Sequence, residues 1–293
     1  MSAIADRFWT SPDGLALYAR DHAPADGPAR LPVICLHGLT RNSRDFEILA
    51  PRLAALGRRV LALDVRGRGR SAWDPHPLNY NPAVYAGDVA ALCDQAGISR
   101  ALFIGTSMGG LITLTLSALR PDLVGGAVLN DVGPQVGAAG LARIAGYVGG
   151  APQVKTWADA AAYARATNGE ALPGLSDADW ARFARRVFRE DAAGRLSLDY
   201  DPAISEAFKI APTAAPAAAP PDLWPLFAAL AAGRPLLLVR GETSDILEPE
   251  TADRMGALAP HMRRVDVRGV GHAPTLEEPQ ATEAIDAFLS DAP

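Results

Sequence analysis

Gly105-Thr106-Ser107-Met108-Gly109-Gly110 is the stretch on which the reading of this chain turns. The apolar run Ala101-Leu102-Phe103-Ile104 precedes it, and Leu111-Ile112-Thr113-Leu114-Thr115-Leu116 follows. A short apolar run, a G-x-S-x-G turn and a second apolar run with helical character predict a strand, a sharp turn and a helix. Such a turn holds its serine in a strained backbone conformation and leaves no room for side chains at the glycines. Ser107 Oγ is then presented above the sheet edge at a helix N-terminus, where developing negative charge is favoured.

The rest of the chain extends the pattern. Phe8-Trp9-Thr10, the turn Ser11-Pro12-Asp13-Gly14 and Leu15-Ala16-Leu17-Tyr18 predict a β-hairpin. Pro32–Leu36, Val60–Asp64, Ala127–Asn130, Leu236–Val239 and Arg264–Val267 read as further strands, and the first two carry the continuous apolar runs of strands buried on both faces. Helices are expected over roughly 45–56 and 82–97, the second with Pro near its start and Gly at its end. Strands alternating with helices predict an α/β architecture with a mostly parallel, doubly wound sheet. The alternation breaks between Pro134 and Pro225, a helix-like region with several aromatic residues that ends in a Pro/Ala-rich stretch over 211–221. We read it as a helical cap inserted into one core. The chain then divides into a first core part over 1–133, the cap over 134–225 and a second core part over 226–293.

At 293 residues, with 49% hydrophobic and 21% charged residues, the composition is that of a globular domain with an insertion. A net charge of −5 argues against nucleic acid as a partner. No apolar run is long enough to span a membrane, and the N-terminus lacks a secretory h-region. The two cysteines, Cys35 and Cys93, sit in a strand and a helix pattern, which suits a cytoplasmic protein. Assembly into a homo-oligomer is left open by the sequence.

A serine nucleophile needs a base, and the base needs an orienting acid. Of the five histidines, His272 stands in Gly269-Val270-Gly271-His272-Ala273-Pro274, a loop between the last strand and a C-terminal helix. It is the expected base. Asp245, just after the Leu236–Val239 strand, is the first choice for the acid, with Asp131 and Glu242 as rivals. The backbone N–H groups of Leu39 and Met108 are the natural donors to an oxyanion. His37, before Gly38, reads as support for that turn. Arg41 is a candidate substrate-binding residue, and Asn42 a capping group. In the cap, Tyr147, Trp157, Trp180 and Phe183 are the aromatic residues best able to line an apolar pocket. Arg182, Arg185, Arg186 and Arg189 share one helix face, read either as solvated or as a basic rim for an anionic substrate.

These pieces resemble the α/β-hydrolase superfamily, in its capped serine-esterase branch. The resemblance rests on His37-Gly38, Asp64-Val65-Arg66-Gly67-Arg68-Gly69-Arg70-Ser71, Gly105–Gly110, Asp245 and Gly271-His272, which span nearly the whole core. It implies an α/β-hydrolase fold, a nucleophile, acid and base in the chain order Ser107, Asp245, His272, and a structural turn around Asp64 and Arg66. It implies hydrolysis of a small-molecule carboxylic ester, of small or medium size, through an acyl-enzyme, with no metal and no cofactor. A carbon–carbon bond hydrolase, a lactonase and a thioesterase remain alternatives on the same residues. A serine at position 107 disfavours the dehalogenases and epoxide hydrolases of this fold, which use aspartate there.

Overall fold

The computed structural model describes residues 4–27, 30–206 and 222–293. The Pro/Ala-rich stretch over 211–221 read as a connector lies outside the described residues. The core strands are β1 (Ile4–Thr10), β2 (Ala16–His22), β3 (Val33–Leu36), β4 (Val60–Asp64), β5 (Ala101–Thr106) and β6 (Val124–Asn130). A small hairpin, β7 (Phe188–Glu190) and β8 (Leu196–Leu198), comes next, followed by β9 (Leu236–Gly241) and β10 (Arg263–Val267). Among the described residues the main sheet has eight strands in the order β1-β2-β4-β3-β5-β6-β9-β10. The pairs β1–β2 and β2–β4 are antiparallel and the rest are parallel.

Alternation along the strands builds two apolar layers. Val33, Cys35, Val60, Ala62, Leu102, Ile104 and Val239 face α1 (Leu49–Ala55) and the C-terminal helix over 279–291. Ile34, Leu36, Leu61, Leu63, Phe103 and Leu129 face the opposite layer, built on α2 (Pro82–Gln95) and α3 (Met108–Leu119). Local chemistry sets the helix starts. Asn81 accepts the Ala83 and Val84 N–H groups at 3.0 and 3.1 Å, with Pro82 as the first helical residue.

Between β6 and β9 the chain forms α4 (Ala138–Ala145), α5 (Trp157–Asn168), α6 (Asp177–Val187) and the β7–β8 hairpin, which the sequence pattern did not anticipate. Reciprocal capping boxes, Thr156 with Asp159 and Ser176 with Asp179, start α5 and α6. Helices α7 (Trp224–Ala231), α8 (Pro249–Leu258) and α9 (Pro279–Asp291) complete the core. None of the described helices is long and apolar enough to cross a membrane.

The segment Asp64–Ser71 ties the site's floor together. Asp64 accepts the Ser43 and Arg70 N–H groups at 2.7 and 2.8 Å. Gly69 has a φ of +55°, and a Cβ there would overlap the Asp64 carboxylate. Arg66 is fully buried and forks onto Asp88 at 2.7 and 2.6 Å while reaching Asp74 and the hairpin residue Asp13. Removing its charge strands two buried carboxylates. Arg66→Met should therefore lower unfolding stability by about 3–5 kcal/mol, read from urea midpoints.

Candidate active site

The strand β5 ends at Thr106, and Ser107 follows with φ 52° and ψ −114° before α3 begins. A non-glycine residue here is strained, so surrounding contacts must hold it. A Cβ on Gly105 would lie 2.5 Å from the Gly109 carbonyl, and one on Gly109 would overlap the Leu36 carbonyl. The turn thus brings α3 against β3 and β5 more closely than any side chain permits. The Ser107 N–H is held by Asn130 O at 2.9 Å.

His272 Nε2 lies 2.9 Å from Ser107 Oγ, and Nδ1 lies 2.8 Å from Asp131 Oδ2. A carboxylate only accepts, so Nδ1 carries the proton and Nε2 is free to accept the Ser107 O–H. The structure thus brings Ser107 and His272 together, with Asp131 and not Asp245 as the carboxylate on the imidazole. Asp131 follows β6 with φ 54° and is fully buried. Its Oδ1 accepts the Gly241 N–H at 2.9 Å, and its Oδ2 also accepts the Ser244 hydroxyl at 2.6 Å.

Asp245 is displaced by its own loop. Ser244 Oγ accepts the Ile246 and Leu247 N–H groups, which folds the loop after β9 inward at Ser244. Asp245 instead forms a two-pronged pair with Arg143 of α4, 2.7 Å on each arm, and this pairing holds its carboxyl below the usual range. Glu242, the other rival, accepts the Gly269 N–H at 2.8 Å on the surface. Two acids that both follow core strands are indistinguishable in the sequence. The polar residue Ser244 beside Asp245 offers no signal that it, and not its neighbour, faces inward.

Met108 follows Ser107 as the first residue of α3, and Leu39 lines the same cavity as Ser107. His37 is a turn support. Its Nδ1–H donates to Gly38 O at 2.7 Å, and its Nε2 accepts the Val65 N–H at 3.1 Å. Asn130, which sequence reasoning missed, donates to Thr106 Oγ1 at 3.0 Å and Pro274 O at 2.8 Å, linking the nucleophile's strand to the histidine loop.

Ser107 and His272 open into a cavity of about 100 Å³, walled by Leu39, Arg41, Ile144, Tyr147, Leu172 and Phe183 among others. Arg41 and two of the four aromatic candidates, Tyr147 and Phe183, line it. Trp180 packs on Phe183 with ring centroids 5.3 Å apart, and Trp157 lies under the Arg185 guanidinium at 4.3 Å. Arg41 stacks on Phe183 at 3.9 Å and pairs with Asp45 through three hydrogen bonds at 3.0, 2.9 and 2.5 Å. Helix α6 ends at Val187, so Arg189 falls in β7 and only Arg182, Arg185 and Arg186 share the helix, and they form no free basic rim. Arg182 pairs with Glu277, Arg186 with Glu47 and Glu277, and Arg185 and Arg189 cover Trp157 and Trp73.

The family model for the alpha/beta hydrolase fold matches residues 32–279. The chain belongs to this family and is a hydrolase. It is 34% identical over 271 residues to 3-hydroxybutyrate-oligomer hydrolase of Cupriavidus necator, covering 89% of this chain and 88% of that protein. Among solved structures it resembles an alpha/beta hydrolase from Novosphingobium aromaticivorans, with 46% identity, 99% of both chains covered and a TM-score of 0.90. It also resembles E-2-(acetamidomethylene)succinate hydrolase, with 25% identity, 98% and 100% coverage and a TM-score of 0.80.

Burial pushes the His37 imidazole down from 6.5 to about 4. The unfolded chain takes up this proton near pH 6.5, while the folded one does so only near pH 4. The unfolded state therefore binds more protons in between, and stability falls as pH falls through that window. By pH 5 the loss should reach about 2 kcal/mol. His37→Gln should remove that share of the difference between urea midpoints measured at pH 7 and pH 5.

Proposed function

We propose that this hydrolase is a serine carboxylic-ester hydrolase acting through Ser107, His272 and Asp131. The observation that carries the reading is the hydrogen-bonded chain from Ser107 Oγ through the imidazole to a buried carboxylate, open to a cavity at the Ser107 end. His272 Nε2 takes the Ser107 proton as Oγ bonds to the ester carbonyl carbon, and the carbonyl π pair moves onto oxygen. The Leu39 and Met108 N–H groups receive that oxyanion. Its collapse expels the alkoxide, which takes the proton from His272. Water then enters, gives a proton to His272 and attacks the acyl carbon. The second collapse returns that proton to Ser107 Oγ and releases the acid. Asp131 keeps the Nδ1–H tautomer and offsets the imidazolium charge.

Residues 134–225 act in this reading as a cap, since Ile144, Tyr147, Leu172 and Phe183 roof the cavity over Ser107. The apolar wall of Leu39, Ile144, Leu172 and Phe183 supports an acyl group lying there. The relative from Cupriavidus necator is named for 3-hydroxybutyrate oligomers and spans most of both chains, which supports short hydroxyacid oligoesters as the natural class.

Ser107→Ala should reduce turnover of a short p-nitrophenyl ester by roughly 10⁴–10⁶ with folding retained. Asp131→Asn should lose about 10³–10⁴ in kcat, since it forces the wrong imidazole tautomer, whereas Asp245→Asn should stay within about tenfold. A dead Asp245 variant beside an active Asp131 variant would reassign the acid. On a panel of nitrophenyl esters, a 3-hydroxybutyrate dimer, a thioester, a lactone and a ring-cleavage dienoate, kcat/KM should favour acyl groups of about four to six carbons and the dimer. A preference for long acyl chains, or for the dienoate, would overturn the substrate reading.

A further inference from the structure

Arg68 lies in the turn after β4 and is fully buried, with 0% of its surface exposed. Its hydrogen-bond partners are all neutral. Nε–H donates to Leu39 O at 3.0 Å, Nη1 donates to Arg66 O at 2.7 Å and to the Tyr85 hydroxyl at 2.9 Å, and Nη2 reaches Met108 Sδ at 3.5 Å. Arg68 makes no ion pair among the described residues, and the residues outside the description contain no Asp or Glu.

A buried cation is costly unless something negative offsets it. Other buried arginines here have that offset. Arg66 has three aspartates and Arg186 has two glutamates. Arg58 caps the negative C-terminal end of α9 through the carbonyls of Leu289 and Ala292. Arg68 has only the tyrosine rings beside it, with centroids 5.1 and 5.6 Å away, and neutral oxygens. Its place is what distinguishes it. The guanidinium holds Leu39 by its carbonyl and faces Met108 through a thioether, a weak acceptor. Those are the two residues whose N–H groups the proposed mechanism assigns to the oxyanion.

We propose that Arg68 is a positioning residue of the oxyanion hole, whose buried charge stabilises the negative oxygen formed when Ser107 attacks. The inference rests on the reading of Ser107 given above. The charge that offsets Arg68 exists in the tetrahedral state and not in the bound ester, so the effect falls on kcat and leaves KM nearly alone. The bond to the Leu39 carbonyl also fixes the turn that carries the Leu39 N–H. Because the guanidinium is out of water, salt does not screen it.

The test compares Arg68→Lys, Arg68→Gln, Arg68→Met and Tyr85→Phe. Each is assayed on a short p-nitrophenyl ester and with a trifluoromethyl ketone, to which Ser107 adds to form a tetrahedral oxyanion. The Gln and Met variants should lower kcat by about 30-fold with KM within about threefold, and weaken ketone binding by a similar factor. Lys keeps the charge and should lose about fivefold, and Tyr85→Phe should stay within about twofold. These ratios should hold from about 50 to about 500 mM salt. Equal losses in the Gln and Lys variants, an unchanged kcat in the Gln variant, or a rise in KM alone would overturn the proposal. If the Gln and Met variants do not fold, Arg68→Lys decides: a fall in kcat without matching loss of ketone affinity rejects it, and a matched fall upholds it. Ser107→Ala is run alongside. An active Ser107→Ala would sink the nucleophile itself, whereas an inactive one beside a fully active Arg68→Gln would sink this inference alone.

Discussion

The buried carboxylate of Asp131 is the junction on which the site depends. It accepts from the Gly241 N–H, the Ser244 hydroxyl and the His272 Nδ1–H, joining the ends of β6 and β9 to the histidine loop. A buried carboxylate stripped of these donors would be severely destabilised, so all three segments must arrive together. The left-handed backbone at Asp131 and at Ser107 is strain that such contacts sustain, and these two residues stand at either side of the imidazole.

A second set of contacts couples the segment between β6 and β9 to this junction. The Gly271 N–H, adjacent to His272, donates to Ala171 O at 2.7 Å. The Gly137 and Gly140 N–H groups donate to Ile246 O and Asp245 O, and Arg143 clamps the Asp245 side chain. On the opposite side Arg186 meets Glu277, Arg44 meets Asp199, and the Tyr80 hydroxyl donates to Asp201 at 2.5 Å. The roof of the cavity is thus bonded to the loops that carry the imidazole and its carboxylate. Ile144 and Tyr147, which line the cavity, follow Arg143 within one turn of chain. A change in how this segment docks would reach the pocket directly.

Charge is handled locally. The arginines of α6 and Arg189 of β7 are spent on glutamates and aromatic faces, so among the described residues they form no unpaired basic stripe for an anion. A buried positive charge with no carboxylate among the described residues sits instead behind the Leu39 turn, at Arg68. In the role proposed for Arg68, a charge behind that turn and not at the rim favours a transient anion over a charged ground state.

Sequence alone determined what depends on short-range chemistry. The glycines of the elbow are required by backbone contacts closer than any Cβ allows. The strands are legible as apolar runs, the break in alternation after β6 marks where α4, α5 and α6 leave the sheet, and His272 stands out by its glycine-flanked loop. Tertiary structure decided the rest. Asp131 and Asp245 both follow core strands, and nothing within a few residues of either says which reaches the imidazole. That depends on the order of β5, β6 and β9 in the sheet and on the inward fold at Ser244. Likewise, which cap aromatics face the cavity depends on how α5 and α6 pack, which leaves Trp157 and Trp180 as supports behind it. Arg68 reads in sequence as one more basic residue in a turn. Its burial and its lack of a carboxylate are properties of the surroundings, and surroundings assembled from distant segments are what a linear pattern does not carry.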